Sequence, residues 1–173
     1  EVLAVDPRHR LGSEGLSEGE VIVAGGLEVH VVATPGHTWD SLCFVVPQEG
    51  AVLTGDTVLG RGTTVVAHPD GELGAYLTSL ERLHRLCGEQ GITSVWPGHG
   101  PVIEDALGVI DYYLAHRAER LEQVREAVRV LDPAAPDLPR LVVETVYADV
   151  DQVLWGAAEL SVRAQLAYLA AEP

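Results

Sequence analysis

Hydrophobic residues in the first hundred positions fall in short runs separated by glycine, proline and polar residues. The runs at 21–24 and 27–33 flank Gly25 and Gly26, and those at 41–46 and 51–53 flank residues 47–50. Short β-branched runs around a turn are typical of β-hairpins. The predicted strands or strand ends are residues 2–5, 21–24, 27–33, 41–46, 51–53 and 92–96.

Apolar residues elsewhere recur every three or four positions, which indicates amphipathic helices. The predicted helical stretches are residues 73–90, 104–131, 138–147 and 150–171. Residues 132–136 read Asp-Pro-Ala-Ala-Pro and interrupt this pattern. Strands followed by helices predict an α/β or α+β arrangement. We expect one domain over residues 1–131 and a small helical module over residues 132–173.

The amino-acid composition and net charge disfavour two functional classes, nucleic-acid binding and membrane spanning. The 173 residues carry a net charge of −15, which disfavours nucleic-acid binding, and they contain no apolar run long enough to cross a bilayer. Cys43 and Cys87 have no CxxC partner, and two buried free thiols favour a reducing cytoplasm. The absence of Lys and Asn favours a bacterial genome rich in G+C.

Three loops after predicted strands carry side chains that can bind metal. His37 lies in Thr-Pro-Gly-His-Thr, Asp56 in Thr-Gly-Asp-Thr and His99 in Pro-Gly-His-Gly. Zinc binds imidazole nitrogen and carboxylate oxygen at roughly 2.0–2.2 Å. Each loop taken alone is more typical of an ordinary turn. Their joint occurrence at three strand ends predicts a metal site.

These motifs, in this order, resemble those of the metallo-β-lactamase superfamily. The similarity covers roughly residues 20–125 and favours the branch that contains β-lactamase-like protein 2 and glyoxalase-II-type hydrolases. It implies an α+β fold, the αββα sandwich of the superfamily, followed by a winged-helix-like module. It also implies two metal ions, expected to be zinc with iron or manganese as alternatives, and a metal-bound hydroxide that attacks the substrate.

The resemblance also implies a role for each ligand. Asp56 would join the two ions and act in catalysis, while His37 and His99 would each hold one ion. We expect Asp40 and Thr57 to orient the imidazoles by hydrogen bonding.

A fourth candidate lies on the predicted helix 104–131. Helical spacing places Tyr113, Arg117 and Arg120 near one face, and His116 shares this stretch. The resemblance puts the stretch beside the active site, and we predict that His116 is catalytic. An alternative of equal weight on spacing alone is a surface ion-pair network with Glu119 and Glu122.

The first metal motif of the superfamily, His-x-His-x-Asp-His, does not occur in this sequence. Three ligands spread over two ions are too few for a closed site. We therefore expect the sequence to be the C-terminal part of a longer enzyme. A non-catalytic fragment is the alternative. If the preceding half is truly gone, we expect a homodimer or association with that half.

Two substrate classes follow from the resemblance: small esters or thioesters, and RNA cleaved by a metal-dependent endoribonuclease. From residue 132 onward the chain has seven acidic residues and two arginines. An acidic module binds a phosphate backbone poorly. The sequence therefore favours a small-molecule acyl substrate, with no nucleic-acid or membrane partner.

Overall fold

A computed structural model describes residues 2–12 and 14–172, and the α+β prediction is confirmed. The strands in this part of the chain are β1 Val21–Ala24, β2 Leu27–Ala33, β3 Leu42–Val46, β4 Ala51–Gly55 and β5 Ser94–Pro97. The α-helices are α1 Leu73–Gln90, α2 Ala106–Val130, α3 Leu138–Val146 and α4 Trp155–Ala171. Single 3-10 turns occur at Pro7–His9, Pro47–Glu49 and Gln152–Leu154.

The strands form one sheet in chain order, β1-β2-β3-β4-β5. Neighbours are antiparallel except β4 and β5, which are parallel. Strand β2 therefore runs in the same direction as β4 and β5. As a result, the carboxyl ends of β2, β4 and β5 lie at the same edge of the sheet, where the sequence places its three metal-competent loops.

Helices α1 and α2 cover one face of this sheet. Val32, Val52 and Val95 of the sheet pack with Leu80 of α1 and Ile110 of α2, and all five are almost inaccessible to solvent. The opposite face carries a row of cross-strand neighbours that are partly exposed. They are Phe44, Leu53 and Trp96.

A second cluster of buried residues lies beyond the sheet. Val124 of α2 packs there against Val142 of α3 and Val162 of α4. Helix α2 is long enough to contribute to both clusters, since its first half packs on the sheet and its second half on α3 and α4. The domain boundary at residues 131 and 132 stays a prediction.

Two sequence predictions need correction. Residues 2–5 do not form a strand end, because only an isolated bridge joins Val2 to Leu11. The Arg10 guanidinium binds the backbone oxygens of Ala4 and Val5, and Ala4 O also accepts from Leu16 N–H, so this segment is held by the loop that follows it and not by a strand. Strand β5 begins at Ser94 and not at residue 92, since the N–H groups of Thr93 and Ser94 both donate to the carbonyl of Gly50.

No helix among the described residues combines the length and the apolar character that crossing a membrane requires.

Candidate metal centre

The loop that carries His37 is anchored to helix α1. Glu72 N–H donates to Gly36 O at 3.0 Å, and the Ser79 hydroxyl donates to Pro35 O at 2.8 Å. Gly36 has φ +135°, and a Cβ there would lie 2.3 Å from Tyr76 Cα. Only glycine permits this approach, which explains why the loop after β2 has Pro-Gly before its histidine.

A backbone carbonyl fixes the His37 ring. Nδ1 lies 2.8 Å from Val65 O. A carbonyl oxygen can only accept, so Nδ1 carries a proton, and Nε2 points the other way, toward Asp56. Ligating histidines commonly have such a carbonyl partner on the second ring nitrogen.

The predicted orienting residues are therefore wrong for His37. Asp40 accepts a hydrogen bond from the Thr38 hydroxyl at 2.8 Å, within its own loop. The Thr57 hydroxyl is buried, 3.3 Å from the Thr34 hydroxyl. This contact between two threonines joins the His37 loop to the Asp56 loop beneath the site, and it touches neither imidazole.

The Asp56 carboxylate lies between the two imidazoles. His37 Nε2 is 3.8 Å from Oδ2, and His99 Nε2 is 3.6 Å from Oδ1. Each carboxylate oxygen thus faces a different histidine. The site opens to solvent, since the Asp56 side chain is 40 % exposed and that of His99 is 77 % exposed.

These distances fit a metal ion better than direct hydrogen bonds. Nitrogen–oxygen hydrogen bonds span about 2.7–3.2 Å, and both distances are longer. Two ligands of one tetrahedral zinc, each roughly 2.0–2.2 Å from the ion, lie about 3.4 Å apart. At His37, Nε2 faces a carboxylate at a distance that leaves room for a cation between them. The donor set therefore fits one cation on each side of Asp56.

The three side chains do not surround a single ion. In residues 2–12 and 14–172, only Asp6, His9 and Asp40 have ligand atoms all within 4.8 Å of one another. His37 and His99 are therefore joined only through Asp56, as expected for two ions that share one carboxylate.

The loops after β4 and β5 approach each other closely at Asp56. Gly98 N–H donates to Gly55 O at 2.8 Å, and Gly60 N–H donates to His99 O at 2.8 Å. A Cβ on Gly98 would lie 2.9 Å from Asp56 Oδ1. Glycine is therefore needed at position 98 for Asp56 and His99 to adopt this geometry.

Helix α2 holds the loop that follows Asp56. The Tyr113 hydroxyl accepts from Leu59 N–H at 2.9 Å and donates to Gly62 O at 3.2 Å. The Arg117 guanidinium donates to Thr64 O. The predicted common face of Tyr113 and Arg117 is thus directed at this loop. The alternative of a surface ion-pair network is wrong for Arg117, which is only 6 % exposed.

His116 lies apart from the three predicted ligands. Its ring stacks on Tyr112 at 5.9 Å between centroids, and none of its contacts within the described chain reaches His37, Asp56 or His99. Burial, together with the charges of Arg117 and Arg120, lowers the pKa of His116 below its ordinary value. Its catalytic role stays a prediction.

A second group of metal-competent side chains was not recognised in the sequence. It consists of Asp6, His9 and Asp40. The Arg8 guanidinium binds the Asp6 carboxylate and lowers its pKa to about 2. Because a cation already occupies Asp6, this group is a weaker metal site than the one around Asp56. The contact between residues 6–9 and Asp40 is long-range, and no local sequence pattern marks it.

Comparison with known proteins identifies the family of this chain. The profile of the metallo-β-lactamase superfamily matches residues 4–89, and that of the β-lactamase-associated winged-helix domain matches residues 139–172. A Drosophila melanogaster protein named β-lactamase-like protein 2 homolog is 34 % identical over 157 residues, which cover 91 % of this chain and 50 % of that protein.

Two further proteins are similar over long stretches. An atrochrysone carboxyl ACP thioesterase from Aspergillus chevalieri is 38 % identical over 118 residues, covering 68 % of this chain and 36 % of that protein. A β-lactamase domain protein from Burkholderia ambifaria superimposes with a TM-score of 0.76 and 28 % identity, covering 98 % of this chain and 49 % of that one.

The chain spans half or less of the length of each of these relatives. The two matched profiles cover strands β1 to β4 with nearly all of α1, and the last two helices; strand β5 and helix α2 lie between them. The order of the three loops at one sheet edge agrees with the resemblance seen in the motifs. The chain belongs to the metallo-β-lactamase superfamily and carries a β-lactamase-associated winged-helix segment.

Proposed function

We propose that this chain contributes to a metal-dependent hydrolase that acts on small esters or thioesters. The observation that carries the proposal is the Asp56 carboxylate, whose two oxygens face His37 Nε2 at 3.8 Å and His99 Nε2 at 3.6 Å. His37 and Asp56 would hold one ion, and His99 and Asp56 the other, expected to be zinc. Other ligands of each ion would be water or groups outside this chain.

A bound divalent metal supplies acidified water and polarises a carbonyl oxygen. The chain's own residues would bind the metal and fix the orientation of its ligands. The Val65 carbonyl keeps the proton on His37 Nδ1, so that Nε2 stays free to bind. The Thr34–Thr57 contact joins the His37 loop to the Asp56 loop, and the Gly98–Gly55 hydrogen bond joins the Asp56 loop to the His99 loop.

Two observations support an acyl substrate over RNA. One relative is named a thioesterase that acts on an acyl carrier protein. The net charge of −15 opposes approach of a phosphate backbone, whose binding requires Lys and Arg contacts. The Asp56 site is also open to solvent, so that a substrate can reach it.

The test is hydrolysis of an acyl N-acetylcysteamine thioester and cleavage of single-stranded RNA, each with zinc and with a chelator. Asp56→Ala is compared with Asp70→Ala, an exposed carboxylate in the same loop region. We expect thioester turnover that requires metal, is lost in Asp56→Ala and is kept in Asp70→Ala. RNA cleavage without thioester turnover contradicts the substrate class, and turnover that survives chelation contradicts the metal mechanism.

A further inference from the structure

A cavity that is open to solvent lies between helix α2 and helix α4, beside the loop that follows Asp56. It has a volume of about 470 Å³, and we call it the α2–α4 cavity. Val65 lines it, and the carbonyl of this residue is the one that holds His37 Nδ1. Thr64 lines it too, and its hydroxyl donates to the Asp56 backbone oxygen at 2.7 Å. Two adjacent residues, Thr64 and Val65, thus contact both the cavity and the residues of the metal centre.

One end of the α2–α4 cavity is basic. Arg117, Arg120 and His116, all from α2, line it. Arg117 is only 6 % exposed, and within the described residues neither its Nε nor His116 Nδ1, both buried, has a hydrogen-bond partner. A buried polar atom without a partner costs about 1–3 kcal/mol. The side chains that carry these two atoms line the cavity, and a ligand that accepts hydrogen bonds there would lie next to them.

These arginines also lack acidic partners. Throughout residues 2–12 and 14–172, no carboxylate lies within ion-pair distance of Arg117 or Arg120, which bind the carbonyls of Thr64 and Val146 and stack on tyrosine rings. Most other arginines are paired with a carboxylate: Arg8, Arg82, Arg125, Arg129, Arg140 and Arg163. Two neighbouring cations without anions stand out in a chain whose net charge is −15.

The rest of the cavity is largely apolar. Its other walls include Val150, Leu154, Ala157 and Ala158. An anionic group alone would leave this surface without a partner, whereas an apolar chain that ends in an anion matches both ends. The larger neighbouring cavity, about 710 Å³, shares His116 and Arg120 with the α2–α4 cavity. It is also lined by three acidic residues, Glu119, Glu126 and Asp149, and not by Arg117, so it suits an anion less well.

We propose that the α2–α4 cavity binds the anionic end of the substrate, a carboxylate or a phosphate carried on a short apolar chain. The guanidinium groups of Arg120 and Arg117 would bind the anion, with the imidazole of His116 as a third contact. The proposal rests on the hydrolase function and narrows its substrate to an anionic ester or thioester. It also gives His116 a role in binding the part of the substrate that does not react.

The test measures binding alone, so that it does not depend on turnover. Chelator-treated protein is titrated by calorimetry with pentanoate, with butyl phosphate and with pentanamide, the uncharged isostere of pentanoate. Arg120→Gln is compared with Arg125→Gln, which lies on the same helix but is paired with Glu122 and Glu172 and is absent from the cavity wall. A third variant, Ala157→Phe, narrows the apolar part of the α2–α4 cavity without removing a charge.

We expect at least one anion to bind and the amide not to bind. Arg120→Gln should weaken that binding about tenfold or more, as for loss of a hydrogen bond to a charged group, and Arg125→Gln should leave it unchanged. Ala157→Phe should also weaken it, which keeps the test valid if Arg120→Gln fails to fold. The tighter anion identifies the charged group.

Equal affinity for pentanoate and pentanamide, or affinity that neither Arg120→Gln nor Ala157→Phe changes, overturns the proposal. Thioester hydrolysis with no anion binding rejects the α2–α4 cavity as an anion site and leaves the hydrolase intact. Anion binding without hydrolysis rejects the hydrolase alone.

Discussion

The Nδ1 atom of His37 lies 2.8 Å from the carbonyl oxygen of Val65, 28 residues further along the chain. This contact connects the loop after β2 to the loop after β4. It places the proton of the ring on Nδ1 and directs Nε2 to Asp56. Val65 also lines the α2–α4 cavity, so a shift of this loop would change the geometry of the metal centre and of the cavity together.

Substitution of Gly98 by alanine tests the close approach at Asp56. The new Cβ would lie 2.9 Å from Asp56 Oδ1 and 3.1 Å from Gly55 C, so the carboxylate and its loop must move. We expect Gly98→Ala to destabilise the fold by about 1–3 kcal/mol and to weaken zinc binding. Urea unfolding and zinc titration measure the two effects.

Gly88→Ala is the matched control. Gly88 lies in helix α1, and a Cβ there meets no atom within 4 Å. Alanine should stabilise this helix by about 0.5–1 kcal/mol and leave zinc binding unchanged. Equal behaviour of the two alanine variants contradicts the steric role of Gly98.

Removal of one hydroxyl tests the contact between α2 and the loop after Asp56. Tyr113→Phe leaves the partly buried Leu59 N–H without its partner, so the free energy of unfolding should fall by about 1 kcal/mol. Tyr112→Phe changes an adjacent ring that is 56 % exposed, and it should change stability by less than about 0.5 kcal/mol. Chemical denaturation measures the free energy of unfolding of both variants. A similar loss of stability in the two contradicts a specific role of the Tyr113 hydroxyl.

The two cysteines predict how stability depends on alkaline pH. Burial raises the pKa of Cys43 and of Cys87 to about 11, whereas thiols in an unfolded chain titrate near about 8.5. Below the unfolded pKa both states keep their protons, and the contribution of the thiols to stability is complete. As pH rises toward 11 only the unfolded state loses protons, so the free energy of unfolding falls.

The measurement is denaturation at several pH values between 8 and 11, on this protein and on the double variant Cys43→Ala/Cys87→Ala. The double variant should show a smaller loss of stability over this range. The same pH dependence in both proteins contradicts the raised thiol pKa values.

Local patterns predicted most of the fold. The leucines of 73–90 repeat at helical spacing between a polar loop and Gly91, and helix α1 has those bounds. The hairpin of β1 and β2 turns at the two predicted glycines, Gly25 and Gly26. In both segments the side-chain period and the turn residues lie within a few positions of each other, so the sequence alone carries the information.

Contacts that a hydrophobic pattern does not specify account for what the sequence did not predict. Residues 2–5 have the composition of a strand, but their carbonyls bind the Arg10 side chain and Leu16 N–H of the following loop. The group that orients His37 is the backbone carbonyl of Val65. Every residue has a backbone carbonyl, so the sequence cannot show which one binds the ring. Burial of Arg117 without a carboxylate depends on how α2 meets the loop after Asp56, which spacing along the helix does not specify.

The central claim is that Asp56 is shared by two ions, one held with His37 and one with His99. Anomalous scattering at the zinc edge from crystals soaked in zinc tests it most directly, because it locates the ions. We predict two peaks, one between His37 Nε2 and Asp56 Oδ2 and one between His99 Nε2 and Asp56 Oδ1. No peak at Asp56, or zinc bound only by Asp6, His9 and Asp40, contradicts it.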